Sequence, residues 1–182
     1  TLNPSSAASD VYKRQPSTHN KISILLDGLI LSLHDYLQKN NITKVFLGLS
    51  GGIDSALVLF IASKAIDVEN IFAVMMPSKY TSKASLDDAE ELAKSIGVNY
   101  QIKPIDSLFS GLKNTFKKDF EGLPEDIAEE NFQARIRGIM LMGFANKFKG
   151  MVLATSNKSE LAVGYSTIYG DMVGGFCVLK DV

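Results

Sequence analysis

The sequence has little cysteine, no excess of charge and no long apolar run. Cys177 is the single cysteine among 182 residues, so neither an internal disulfide nor a cysteine metal cluster is possible within this sequence. The formal net charge of −1 gives the molecule as a whole no match to a nucleic-acid backbone. No segment approaches the ~18 apolar residues of a membrane span. These absences predict a cytoplasmic enzyme or binding domain without nucleic-acid or membrane partners.

Residues 1–15 differ in character from the rest of the chain. They are rich in serine and alanine, contain Pro4, and show neither helical nor strand periodicity. We expect them to form an irregular tail outside the fold. The remaining residues, 16–182, are enough for one well-buried domain and too few for two large ones. A single domain over residues 16–182 is therefore predicted.

Apolar periodicity predicts strands that alternate with helices. The predicted helices comprise residues 22–39, 54–65, 85–96 (with Gly97 as a C-terminal cap), 107–118 and 128–148. The predicted strands comprise residues 44–49, 70–76, 100–105 and 151–155. On the last helix, the apolar residues Phe132, Ile136, Ile139, Met140 and Phe144 are expected to share one side. This alternation predicts an α/β fold, a doubly wound parallel sheet in a Rossmann-like three-layer arrangement.

A glycine-rich loop, Ser50-Gly51-Gly52-Ile53-Asp54-Ser55, follows the first predicted strand. Adjacent glycines let an anion approach the main chain, and the amides and dipole of the following helix start stabilise a phosphate there. Ser50 and Ser55 are expected to add hydroxyl donors, and Asp54 can hold a magnesium ion. The lysine of the P-loop and the spacing of the dinucleotide fingerprint are both missing. The alternative is a serine-capped helix start without a ligand.

Other polar residues lie where they could reach the same edge of the sheet. Ligands bind beyond the carboxyl ends of parallel strands, so Glu160, which follows the predicted turn after Thr155, could reach magnesium. Asn131 and Arg135 are four residues apart and share a helix face. Arg137 is turned about 200° from Arg135, so we do not expect both arginines to face one ligand.

The glycine-rich loop resembles the pyrophosphate-binding loop of the N-type ATP pyrophosphatases, which cleave ATP between the α and β phosphates. Three further motifs narrow this resemblance: NFQARIRG at residues 131–138, ATSNKSELAVGY at 154–165 and YGDM at 169–172. Together the motifs resemble the NAD synthetase family, and specifically the synthetase domain of its glutamine-dependent form. The resemblance extends from residue 22 to residue 182 and implies an adenine nucleotide α-hydrolase-like fold.

The resemblance also implies roles for individual residues. ATP would be bound by Gly48, Leu49, Ser50, Gly51, Gly52, Ile53, Asp54, Ser55 and Thr155. Deamido-NAD would be contacted by Asn131, Arg135 and Glu160, and Mg²⁺ would be held by Asp54 and Glu160. Residues 77–85 would correspond to a mobile loop that closes over the site.

The implied reaction is the ATP-dependent amidation of deamido-NAD to NAD through an adenylated intermediate, with release of AMP and pyrophosphate. The ammonia would come from glutamine or free ammonium, and no side chain needs to act as a nucleophile. The resemblance implies a homo-oligomer and a glutaminase domain ahead of this one. The family also continues beyond Val182, so the sequence is expected to be a fragment.

Two alternatives stay open at this stage. The first is another N-type ATP pyrophosphatase, such as a GMP synthetase-like or tRNA-modifying enzyme, although the latter usually need paired cysteines and a basic surface. The second is a non-catalytic nucleotide-binding fragment.

Overall fold

The computed structural model describes residues 20–182. The predicted irregular tail, residues 1–15, lies outside the described residues. The helices are α1 (Lys21–Lys39), α2 (Ile53–Ala65), α3 (Lys83–Ile96), α4 (Asp106–Thr115), α5 (Ile127–Phe148) and α6 (Lys158–Val163). The strands are β1 (Val45–Gly48), β2 (Ile71–Met75), β3 (Asn99–Ile102), β4 (Met151–Asn157) and β5 (Phe176–Leu179), and a short 3₁₀ turn covers Val68–Asn70.

The strands form one parallel sheet in the order β3-β2-β1-β4-β5. The chain leaves β1 towards β2 and β3 on one side, and then crosses back to place β4 on the other side of β1. This reversal is the topological switch point, where open α/β sheets bind ligands beyond the carboxyl ends of their strands. The predicted α/β fold is confirmed, and the loops after β1 and β4 meet at the switch point.

Two apolar layers fill the space between the sheet and its helices. Successive strand residues face opposite layers, so Val45 and Leu47 of β1 pack in one layer and Phe46 packs in the other. The first layer joins the sheet to α1, α2 and α3, and the second joins it to α4 and α5. Helices thus cover both faces of the sheet, as a doubly wound arrangement requires.

Local signals set several of the helix ends. The side chain of Ser82 caps α3 by accepting a hydrogen bond from the Ser85 amide at 3.1 Å, and Gly97 ends this helix with φ of 86°. The φ of Gly97 confirms the predicted glycine cap. At the start of α5, Asp126 and Glu129 form a capping box, in which each side chain accepts from backbone amides. These caps define both ends of α3 and the start of α5.

The structure differs from the sequence prediction in several respects. It adds β5 and the short helix α6, which were not predicted, and α3 begins at Lys83, so the last residues of the predicted loop 77–85 are helical. Ile139 does not share the apolar side of α5, since it is 68% exposed, whereas the four other predicted residues pack in the second layer. Within residues 20–182, no helix combines the length and apolar character of a bilayer span.

Candidate functional site

The loop after β1 is shaped by its own two serine side chains. Ser55 Oγ accepts from the Ser50 amide at 3.2 Å and donates to the Gly52 carbonyl at 2.9 Å. Ser50 Oγ accepts from the Gly52 amide at 3.1 Å and lies 3.1 Å from Ser55 Oγ. Because Ser55 gives its proton to Gly52, Ser50 is the donor between the two hydroxyls. Ser55 is buried and Ser50 is exposed, so the network links the protein interior to the surface of the loop.

In this network both serine hydroxyls form hydrogen bonds within the loop. The sequence suggested that Ser50 and Ser55 offer hydroxyl donors to a phosphate, but both protons already point to partners within the loop. The donors that remain are main-chain amides. Gly52 caps α2 without a side-chain hydrogen bond, so the first-turn amides of α2 are left without a side-chain partner from the cap. An anion at this helix start is stabilised by those amides and by the helix dipole.

Gly51 is required at its position for two separate reasons. Its φ of +80° lies in the left-handed region, which side chains rarely adopt. A Cβ built on Gly51 would also lie 2.8 Å from the Cα of Ser85, in α3. The backbone of the loop therefore packs directly against the start of α3.

Two cavities open at the switch point beside this loop. The larger has a volume of about 350 Å³ and is lined by Gly48, Leu49, Ser50, Val74, Met75, Met76, Thr81, Arg137, Gly138, Leu141, Leu153, Ala154, Thr155, Gly170, Asp171 and Val173; we call it the central cavity. The smaller has a volume of about 140 Å³ and is lined by Ser50, Gly52, Asp54, Ser55, Thr155, Ser156, Glu160 and Asp171; we call it the carboxylate cavity. Ser50, Thr155 and Asp171 line both, so the two cavities adjoin.

Asp54 and Glu160 reach the carboxylate cavity from two different helices. Asp54 lies in the first turn of α2. Glu160 lies in the first turn of α6, where its Oε2 accepts from the Asn157 amide at 3.2 Å and its own amide donates to Asn157 Oδ1 at 2.9 Å. This capping box fixes the Glu160 carboxylate at the end of β4.

The donor set of the carboxylate cavity suits a magnesium ion that is shared with a phosphate. Within the described part of the chain, no group of three or more histidine, cysteine, aspartate or glutamate side chains could hold a metal ion alone. Magnesium commonly takes only one or two protein carboxylates and completes its octahedron with water and substrate phosphates. Asp54 and Glu160, which face one cavity beside the loop, meet that requirement.

Asn131 and Arg135 lie together on α5, but they line neither cavity. Both contact the segment of residues 164–175, which we call the α6–β5 loop. Asn131 Oδ1 accepts from Thr167 Oγ1 at 2.7 Å, and Arg135 Nε donates to the Ile168 carbonyl at 3.3 Å. The shared helix face predicted for Asn131 and Arg135 is therefore present, and it packs against the α6–β5 loop.

Arg137 points elsewhere, as the helical angle from Arg135 predicted. Its Nε donates to the Met76 carbonyl at 3.0 Å, and the side chain lines the central cavity. Burial lowers the pKa of the Arg137 guanidinium. Sequence reasoning gave this residue no role, because nothing local indicates that α5 crosses the end of β2.

Asp171 was also overlooked, although it stands in the YGDM motif. It lines both cavities, and its Oδ1 accepts from the Thr167 amide at 2.7 Å. This hydrogen bond joins the aspartate to the fourth residue before it and closes a local turn in the α6–β5 loop. Its place beside Asp54 and Glu160 depends on the path of the α6–β5 loop, which the sequence does not show.

The remaining reactive side chains lie away from the cavities. His34 Nδ1 is 2.8 Å from the Ala65 carbonyl, so this residue ties α1 to the end of α2. Cys177 Sγ donates to the Ser156 carbonyl at 3.2 Å, and burial raises the pKa of its thiol. Lys158 is exposed. None of the three has a contact that indicates a chemical role.

A parallel sheet whose central strand leads into a Ser-Gly-Gly-x-Asp-Ser turn, with two cavities at the switch point, defines a Rossmann-like α/β protein. The model of the NAD synthase family matches residues 25–182. The chain belongs to the NAD synthase family.

Individual relatives agree with this assignment. The chain is 54% identical over 154 residues to the glutamine-dependent NAD(+) synthetase of Thermotoga maritima, which covers 85% of this chain and 27% of the relative. A solved glutamine-dependent NAD+ synthetase from Acinetobacter baumannii, in complex with ADP, has a TM-score of 0.90 and 49% identity over 92% of this chain and 32% of that one. The NH3-dependent NAD synthetase of Campylobacter jejuni has a TM-score of 0.81 and 32% identity, and the match covers 90% of this chain and 69% of that one. The chain thus spans about a third or less of the glutamine-dependent relatives.

Proposed function

We propose that this chain binds ATP at residues 48–55 and amidates deamido-NAD to NAD, with release of AMP and pyrophosphate. The observation that carries the proposal is the carboxylate cavity, where the loop amides, Asp54, Glu160 and Thr155 face one space. Membership of the NAD synthase family supports the identity of the substrate. The relative from Acinetobacter baumannii was solved in complex with ADP, which supports an adenine nucleotide at this site.

The central cavity would hold the nucleoside part of ATP. Its walls include Val74, Met76, Leu153 and Val173, and apolar walls with a few polar groups are typical of sites that bind a flat ring. Since Ser50 and Thr155 line both cavities, a nucleotide with its base in the central cavity would extend its phosphates towards the carboxylate cavity.

The free carboxylate of deamido-NAD is a poor acyl donor, and adenylation would give it AMP as a good leaving group. The carboxylate of deamido-NAD would attack the α phosphate, and the amides at the start of α2 would stabilise the charge that builds on the departing pyrophosphate. Asp54 and Glu160 would hold Mg²⁺, which when bound supplies positive charge to the phosphate oxygens. Ammonia would displace AMP from the adenylate, so no side chain has to form a covalent intermediate.

Asn131, Arg135 and Glu160 would contact deamido-NAD. The first two are supported by their common contact with the α6–β5 loop, and Glu160 by its fixed carboxylate at the end of β4. The α6–β5 loop, which Asn131 and Arg135 contact, would form part of the surface that binds deamido-NAD. Residues 77–82, which precede α3 and place Thr81 in the central cavity, would cover the nucleotide.

Further partners belong to the same proposal. The relative from Thermotoga maritima is named a glutamine-dependent enzyme, and this chain covers 27% of its length. The name and the additional length of that relative support a glutaminase domain as the source of ammonia. Apolar side chains that α5 leaves exposed, such as Ile127, Ile139 and Phe148, support a homo-oligomer.

The experiment is to incubate the chain with ATP, Mg²⁺, deamido-NAD and ammonium and to measure AMP and NAD by mass spectrometry. We expect both products in equal amounts. Asp54→Asn should lower the rate by at least about 100-fold, because it removes a charged metal ligand. Asp35→Asn is the matched control, since Asp35 is a carboxylate on α1 whose partner is Lys39. Its rate should equal that of the unchanged chain.

Other outcomes would decide against the proposal. ATP binding without AMP or NAD would indicate a nucleotide-binding module. AMP formation that does not depend on deamido-NAD would point to another ATP pyrophosphatase. An unchanged rate in Asp54→Asn would remove Asp54 from the metal site.

A further inference from the structure

Arg137 is a cation beside the central cavity that has no counter-charge in the described structure. Its Nε donates to the neutral Met76 carbonyl at 3.0 Å. The ion pairs among residues 20–182 involve Lys39, Lys94 and Lys113, and none of them includes Arg137. Its two terminal amino groups also have no hydrogen-bond acceptor within that range. A permanently charged group with several free donors therefore borders a cavity.

Partial burial makes this arrangement costly unless an anion completes it. A charge that is withdrawn from water is stabilised only when it is paired or hydrogen-bonded. Asp171 lines the same cavity, but it forms no ion pair with Arg137, and its Oδ1 is held by the Thr167 amide. The terminal amino groups of the half-buried Arg137 side chain are therefore free to pair with an anion that enters the cavity.

Arg135 shows that the environment of Arg137 is not a general property of α5. The two arginines are two residues apart, yet Arg135 is exposed and donates to the Ile168 carbonyl. Arg137 alone of this pair lines the central cavity. The Met76 carbonyl anchors one edge of its guanidinium, and an anchored guanidinium loses less freedom when its other edge binds a ligand.

We propose that Arg137 is a nucleotide-binding residue whose terminal amino groups contact a phosphate oxygen of ATP. The inference rests on the function proposed above. Arg137 shares the central cavity with Gly48, Leu49 and Ser50 of the loop after β1, and Ser50 also lines the carboxylate cavity, so a phosphate at the junction of the two cavities would lie in the space that Arg137 borders. The planar guanidinium matches phosphate geometry and can donate two parallel hydrogen bonds.

The test compares two ligands that differ only in their phosphates. Affinity for ATP is measured by isothermal titration calorimetry, and affinity for adenosine by NMR titration. Arg137→Gln should weaken ATP binding by about 10- to 100-fold, the effect of a charged hydrogen bond, and leave adenosine binding unchanged. Arg137→Lys keeps the charge and should lose less ATP affinity. Lys147→Gln removes an exposed cation from the same helix and should bind both ligands as the unchanged chain does.

Each other outcome overturns the inference. An equal loss of ATP and adenosine affinity would mean that Arg137 acts only by holding the Met76 carbonyl, and an unchanged ATP affinity would mean that it has no ligand contact. If Arg137→Gln does not fold, the ATP-to-adenosine ratio of Arg137→Lys decides, and a ratio equal to that of the unchanged chain contradicts the contact. An unchanged chain that does not bind ATP overturns this inference and the proposed function together. An unchanged chain that makes NAD while Arg137→Gln keeps full ATP affinity overturns this inference alone.

Discussion

The loop after β1 and the contact of α5 with its neighbours are built over very different distances in the sequence. Hydrogen bonds within the loop join residues no more than five positions apart. On α5, the bonds of Arg135, Asn131 and Arg137 reach partners 33, 36 and 61 positions away. The hydrogen bonds of the loop thus depend on residues that are close in the sequence, whereas those of α5 form only when the whole sheet is assembled. Substitutions in the two regions should differ accordingly.

The largest effect is expected from Gly51→Ala, which tests whether the loop is as self-contained as its hydrogen bonds suggest. The new Cβ would meet the Cα of Ser85 at 2.8 Å in a residue with φ of +80°. We expect ATP affinity to fall at least tenfold and the free energy of unfolding to fall by about 2–4 kcal/mol, from strain and overpacking together. Urea unfolding and calorimetry measure the two.

Gly97→Ala is the matched control for this change. Gly97 has φ of +86°, but a Cβ there would meet nothing within 4 Å. It should lose only the roughly 1–2 kcal/mol of left-handed strain and no ATP affinity. If Gly51→Ala and Gly97→Ala are equally stable, the contact with Ser85 does not constrain the loop.

A smaller effect is expected from Gly138→Ala, which tests the non-local side of the comparison. A Cβ on Gly138 would lie 2.9 Å from the Tyr169 carbonyl oxygen in the α6–β5 loop. The free energy of unfolding should fall by about 1–3 kcal/mol, because the helix and the loop have to separate. Urea unfolding measures this change.

Gly143→Ala is made on the same helix, where a Cβ would meet nothing within 4 Å. It should stabilise the protein by up to about 1 kcal/mol, since alanine favours a helix over glycine. Equal effects of Gly138→Ala and Gly143→Ala would contradict the close approach of α5 to the α6–β5 loop.

The smallest effect concerns Cys177, whose environment also depends on a distant partner. Burial raises the pKa of its thiol, and the Sγ donates to the Ser156 carbonyl. A raised pKa means a smaller thiolate fraction at any pH below it, so iodoacetamide should alkylate Cys177 more slowly than free cysteine at pH ~8. The pH profile of the rate should also be displaced upwards. Unfolding in urea should restore the ordinary rate; equal rates in folded and unfolded protein would contradict the protection.

The sequence predicted those parts of the fold whose signals are local. Periodicity located α1 to α5 and four strands, because apolar spacing reports directly on buried faces. It missed α6, which has six residues and is too short for a periodic pattern, although its Asn157–Glu160 capping box was readable. It also missed β5, an apolar run of four residues after a glycine pair. Ile139 was misplaced because periodicity cannot tell which neighbour covers a given face.

The candidate site divides in the same way. The loop of residues 48–55 was predictable from its glycines and its position after a strand, and Glu160 from its place after β4. Arg137 and Asp171 were not, because their positions depend on α5 crossing the end of β2 and on the path of the α6–β5 loop. The hydrogen bonds of the Ser50 and Ser55 hydroxyls within the loop were not predicted, since they become visible only once the loop is folded; the role of these hydroxyls towards a phosphate stays a prediction.

The strand order has a consequence for how the protein is made. Val45 of β1 is in register with Ile71 of β2 on one side and with Met151 of β4 on the other. During synthesis, the central strand therefore keeps one unpaired edge until residues beyond 151 have left the ribosome. Such long-range parallel pairing is slow and leaves apolar strand edges open to aggregation. The ATP site that we propose would be among the last parts of the domain to form, since Thr155 and Glu160 arrive with β4.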